Sequence, residues 1–118
     1  MDYFSKLFRV NSEHTEDYYK ITITDDYVRV EHPEINTEQI LWSEIDLIKL
    51  INTDKGPWAP DVWLNLIGKN SNCMLPQGAK GYDEVYEIVS EYNNFDFQKA
   101  MESMTCTENR HFVLWERK

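Results

Sequence analysis

The chain predicts an α+β fold: an antiparallel sheet of about six or seven strands, with one main helix and a second short helix in its C-terminal half. Three observations carry this reading. From Tyr18 to Leu75 the apolar residues recur mostly with a period of two, in short runs broken by Asp, Asn, Gly and Pro. From Gly81 the period changes to 3.6. Strands first and helices late is the pattern of an α+β domain, not of alternating βαβ units. The 118 residues suit one domain, 1–118. A chain of that length buries roughly two-thirds of its unfolded surface, enough for a real core.

Each element follows from its residues. Phe4, Leu7 and Phe8 fall at i, i+3 and i+4, a short amphipathic helix or packed arm, and Asn11 to Asp17 is a polar, acidic loop. Tyr18 to Thr24 alternates, with Ile21 and Ile23 on one face. Asp25-Asp26 is a turn signal, and Tyr27 to Glu31 alternates again around Val28 and Val30, so the two runs form a hairpin. Ile40 to Trp42 is a third strand, and Ser43 to Asp46 is one helical turn or a bulge. Leu47 to Asn52 and Asp61 to Ile67 are the fourth and fifth strands, separated by Thr53 to Pro60, whose two prolines stiffen it. Cys73 to Leu75 is a sixth.

Tyr82, Val85, Ile88, Val89 and Tyr92 then line one face of the main helix, which Asn93-Asn94 stops. Asp96 is placed to N-cap the second helix, with Phe97, Ala100, Met101 and Met104 expected to face inward. Arg110 to Glu116 alternates as a closing strand, Phe112 and Leu114 on one side.

Charge narrows the function. Twelve Lys and Arg against twenty-one Asp and Glu leave −9. Nucleic-acid binding requires cations to neutralise phosphates, and anionic membranes require them equally, so neither partner is expected. A basic protein is the partner that charge favours. The start, MDYFSKLFRV, holds no apolar run of signal-peptide length, and no stretch approaches the ~20 apolar residues of a membrane span. A cytoplasmic location is the expectation, with Cys73 and Cys106 as reduced thiols.

No catalytic constellation is legible. His14, His32 and His111 have no partner at motif spacing, and there is no H-E-x-x-H, G-x-S-x-G, P-loop or EF-hand pattern. An enzyme is therefore not expected, nor a metal, a cofactor or a small-molecule ligand. Two features suit partner binding instead. In the loop around Trp58 the ring lies between Pro57 and Ala59, with Asp54 and Asp61 towards the ends. A rigid aromatic between carboxylates is one way to build a hot spot for a basic surface. The same residues also suit a Trp58 that packs back on the sheet while both aspartates bond local N–H groups.

The second feature is the polar face of the main helix. Asp83, Glu84, Glu87 and Glu91 form a negative stripe with no lysine between them. Asp83 and Glu84 favour the helix dipole, whereas Glu87 and Glu91 gain little and repel each other by a few tenths of a kcal/mol. The stripe serves equally as an ordinary solvated face. Glu13, Glu16 and Asp17 with Asp25 and Asp26 form a third acidic group, expected at one end of the sheet.

The order of features also carries a resemblance. A hairpin leads to I-L-W-S-E-I-D-L-I-K-L (Ile40 to Leu50), then N-T-D-K-G-P-W-A-P-D-V-W (Asn52 to Trp63), a helix, a Phe-Asp-Phe step and F-V-L-W (Phe112 to Trp115). Over roughly Lys20 to Trp115 this resembles a group of small bacterial proteins with a pleckstrin-homology-like (PH-like) or related sheet-plus-helix fold. Some of them are similar to immunity proteins of polymorphic toxin and contact-dependent growth-inhibition systems. The resemblance implies a strongly bent sheet and a protein that occludes a toxin's active site. The partner it implies is a basic toxin domain, such as a nuclease with a basic cleft, encoded upstream. It transfers no catalytic residue. The alternative is another cytosolic interaction or adaptor module without enzymatic activity.

Overall fold

The structure, a computed structural model, describes residues 19–32, 36–53, 62–106 and 108–117. The expected Phe4 helix, the acidic residues Glu13, Glu16 and Asp17, and the loop bearing Asp54, Trp58 and Asp61 lie outside them.

Among the described residues seven strands and two α-helices follow in the order β1 (Lys20–Ile23), β2 (Tyr27–Glu31), β3 (Glu38–Leu41), β4 (Leu47–Asn52), β5 (Val62–Ile67), β6 (Asn72–Pro76), α1 (Tyr82–Ser90), α2 (Phe97–Thr105) and β7 (Arg110–Glu116). The class is α+β, with every ladder antiparallel. The strands divide between two sheets, β1-β2-β3 and β6-β5-β4-β7, where one bent sheet was expected. At the seam β3 runs beside β6. There the Met74 N–H donates to Glu38 Oε1 at 2.7 Å, a side-chain link in place of a ladder.

Local chemistry sets the turns. Thr24 Oγ1 accepts from the N–H groups of Asp26 and Tyr27, which closes the β1–β2 hairpin over the Asp25-Asp26 pair. The Ser43 region forms a 3₁₀ turn, Trp42–Glu44. Gly81 opens α1 with φ +103°, and a Cβ there would stand 3.1 Å from the Ile21 Cβ. The Asp96 side chain caps α2, accepting from the Lys99 N–H at 2.9 Å as its position in the sequence predicts.

The facing sides of both sheets and of α1 share one buried cluster. Val28, Val30 and Ile40 come from the first sheet, Ile48, Leu50, Leu64, Leu66, Leu75, Phe112 and Leu114 from the second, and Val85 and Val89 from α1. Each fully buried aliphatic side chain here contributes about 1.5–3 kcal/mol through removal from water.

Two inward assignments need correction. Ala100 and Ser103 are the buried residues of α2, while Phe97, Met101 and Met104 are 56, 66 and 83% exposed. Helical periodicity places those three on one stripe, but α2 rests on β4 and β7 through its small residues. Ser103 Oγ donates to Asn52 Oδ1 on β4, and the Asp96 N–H donates to the Leu114 carbonyl on β7. These bonds set the rotation of the helix and turn the stripe outward. On α1, Ile88 is 39% exposed and not part of the core. It sits at the margin of the apolar face, beside a groove.

Candidate functional site

The acidic stripe is real as a surface. Asp83, Glu84, Glu87 and Glu91 are all exposed on or at the end of α1. The described ion pairs, Lys99–Glu102 and Arg117–Asp46, lie elsewhere, so no described cation balances these carboxylates. Asp83 and Glu84 occupy the first turn, where the dipole favours them. Glu91 is the C-cap residue, at the negative end, where a carboxylate costs about 0.3–1 kcal/mol. An acid that works against its own helix is a local inconsistency of the kind that marks functional positions.

Next to this stripe is a groove that periodicity did not reveal. Ile23, Thr24, Asp25, Trp42, Ile88 and Tyr92 line an open depression of about 380 Å³. Three separate segments build it: the end of β1 running into the hairpin turn, the 3₁₀ turn, and the end of α1. Trp42 is fixed in place, since its indole Nε1 donates to the Thr24 carbonyl at 2.8 Å and its backbone N–H donates to the Asp26 carbonyl at 3.0 Å. Ile88 lies one turn after Glu84 and three residues before Glu91, so the groove borders the acidic stripe.

Tyr92 joins the groove to a second depression of about 360 Å³, lined by Asn93, Asn94, Trp115 and Glu116. The Tyr92 and Trp115 rings meet edge to face at 5.0 Å, and Trp115 Nε1 donates to the Asn93 carbonyl. Burial pushes the Tyr92 phenol up, and the nearby Arg117 guanidinium opposes that. Arg117 itself is held by Asp46 at 2.9 Å and by the carbonyls of Ser43 and Ile45.

The predicted residues are therefore divided. The four acids of α1 stand on one exposed face, and Asp25 lines the groove beside it. Trp42, Ile88 and Tyr92 were read as a strand end and core positions. The legible signal for them was chemical: a Trp whose N–H needs an acceptor is rarely buried whole. Cys73 and Cys106 are both free thiols. Cys73 is fully buried, and burial followed by the Glu38 charge pushes its thiol up to about 12, the opposite of an activated nucleophile. Among the described residues no three His, Cys, Asp or Glu side chains gather as a metal set, and no helix is long and apolar enough to cross a membrane.

The arrangement suits recognition of a protein surface. It offers half-buried aromatic rings in a shallow groove, with a carboxylate on its rim and an acidic stripe alongside. Comparison with protein-family models, with curated proteins and with solved structures finds no match.

Proposed function

We propose that this chain is an immunity-type inhibitor that acts in the cytoplasm, binding a basic toxin domain and covering its active site. The observation that carries the proposal is the acidic stripe of α1, whose four carboxylates make no ion pair among the described residues, with Glu91 placed against the helix dipole. Toxins that act on RNA or DNA carry basic clefts, and an acidic face is steered to such a cleft by long-range attraction. Trp42 and Tyr92 beside the stripe supply the ring contacts that dominate interface energetics. A net charge of −9 keeps the inhibitor itself away from the toxin's polyanionic substrate. The resemblance described above points the same way.

The test is binding and rescue with the C-terminal domain encoded just upstream. The expected result is a domain that kills alone, rescue by this chain, and a tight complex. Charge reversal at Glu84, Glu87 and Glu91 is expected to slow association about tenfold or more, with a weaker salt dependence and an unchanged fold. A harmless or non-binding domain overturns the immunity reading.

A non-enzymatic adaptor is the second reading. The exposed stripe Phe97, Met101 and Met104 favours it, because it lies on a different helix and gives the domain two dissimilar surfaces. In that case a pull-down from source cells recovers a complex that Met101→Gln weakens and charge reversal on α1 does not.

A further inference from the structure

We infer that the groove between the β1–β2 turn and the end of α1 takes an arginine side chain of the protein partner. The methylene stem lies on Ile23 and Ile88, the guanidinium faces the rings of Trp42 or Tyr92, and Asp25 supplies the counter-charge. This deepens the protein-binding reading and rests on it.

The lining selects the occupant. Aliphatic, aromatic and carboxylate groups meet in one open depression of about 380 Å³. A purely apolar side chain would leave the exposed Asp25 carboxylate to water and gain nothing from its charge. A lysine would satisfy Asp25 but presents a compact, strongly hydrated ammonium to the rings. Arginine combines an apolar stem with a planar, weakly hydrated cation that stacks on aromatic faces.

The molecule makes the same contact with its own arginines. Arg29 lies over the Tyr27 ring at 4.9 Å, Arg110 over Phe112 at 5.0 Å and Arg117 over Trp115 at 5.8 Å. The last is the nearest parallel, since Arg117 lies against one ring of the Tyr92–Trp115 pair while bonding the Asp46 carboxylate. All three described arginines are thus engaged at other rings. Asp25 makes no described ion pair, and the stripe from Glu84 to Glu91 extends the negative field along the groove. Trp42 is held by its bond to the Thr24 carbonyl, so the ring needs little ordering on binding.

The test uses no toxin, so its failure is separable from failure of the immunity reading. Isotope-labelled protein is titrated with N-acetyl-arginine amide, N-acetyl-lysine amide and N-acetyl-leucine amide, and followed by NMR. The expected result is a saturable shift of the Trp42 indole N–H and of the Ile23 and Ile88 methyls with the arginine probe. It is expected to bind about threefold more tightly than the lysine probe. Asp25→Asn is expected to weaken binding about threefold, the scale of an exposed ion pair. Ile88→Lys, at an exposed position, is expected to abolish it with the melting temperature unchanged. Equal arginine and lysine shifts spread along Asp83, Glu84, Glu87 and Glu91 would overturn the inference, as would a leucine probe that binds better than arginine. Rescue from a toxin with no arginine response in the groove leaves the immunity reading intact and rejects this one. An arginine response without any toxin partner does the reverse.

Discussion

Ser103 on α2 and Asn52 on β4 bond each other twice. Ser103 Oγ donates to Asn52 Oδ1 at 2.7 Å, and Asn52 Nδ2 donates to the Ser103 carbonyl at 2.9 Å. Both side chains are buried, and Asn52 Nδ2 also reaches the Cys106 carbonyl at the end of the helix. A buried polar pair satisfied in this way positions a helix as well as stabilising it.

Asn52→Ala leaves two carbonyls and a hydroxyl short of partners. It is expected to cost about 2 kcal/mol, and Ser103→Ala about 1–2 kcal/mol. Urea unfolding of both single variants and the double variant is expected to show coupling of about 1 kcal/mol. Strict additivity would mean that the two side chains act independently.

The outward stripe of α2 makes a contrasting prediction. Met101→Gln and Met104→Gln are expected to change stability by no more than about 0.5 kcal/mol, as exposed positions do. Ala100→Leu, beneath the same helix, is expected to cost about 1–3 kcal/mol through overpacking. Thermal unfolding of the three variants separates this orientation from an inward one, in which the methionines would be the costly sites.

Gly81 combines a left-handed backbone with close packing on Ile21. Gly81→Ala is expected to destabilise by more than about 1 kcal/mol, because both the φ value and the 3.1 Å approach oppose a Cβ. Denaturant midpoints read this directly. A neutral result would show that the turn into α1 can relax away from β1.

Alkaline pH provides a fourth test. The Cys73 thiol is pushed up to about 12, whereas a thiol in an unfolded chain titrates near about 8.5. Between those values the unfolded chain has released a proton that the native state retains, so stability falls as pH rises. The contribution is complete below the unfolded value and is lost as pH climbs towards the folded one. The phenols of Tyr19, Tyr82, Tyr86 and Tyr92 are raised too and act in the same direction at higher pH. The unfolding free energy from urea titration is expected to fall above about pH 9, by at most about 1.4 kcal/mol per pH unit for each such group. Cys73→Ala is expected to be less stable overall but to show a shallower fall between about pH 9 and 10.

Periods of 2 and 3.6 placed β2, β4 and β7 within their observed bounds, and located α1 and the Asp96 cap of α2. Those features depend on neighbours a few residues apart, and alternation, capping and turn chemistry act at that range. The acidic stripe was legible for the same reason, since its four carboxylates lie on one helix. The rotation of α2 was not. Periodicity shows that Phe97, Met101 and Met104 share a face, but a face is buried only where another element covers it. The Asn52–Ser103 bonds, between residues distant in the chain, gave β4 to the small residues instead. The groove was hidden for a related reason. Ile23, Asp25, Trp42, Ile88 and Tyr92 come from segments that meet only when the first sheet and α1 pack together. The sequence by itself therefore determined the elements, their order and the sign of the surface. The tertiary structure alone decided which apolar residues stayed exposed and where aromatic rings met carboxylates, because long-range packing sets both.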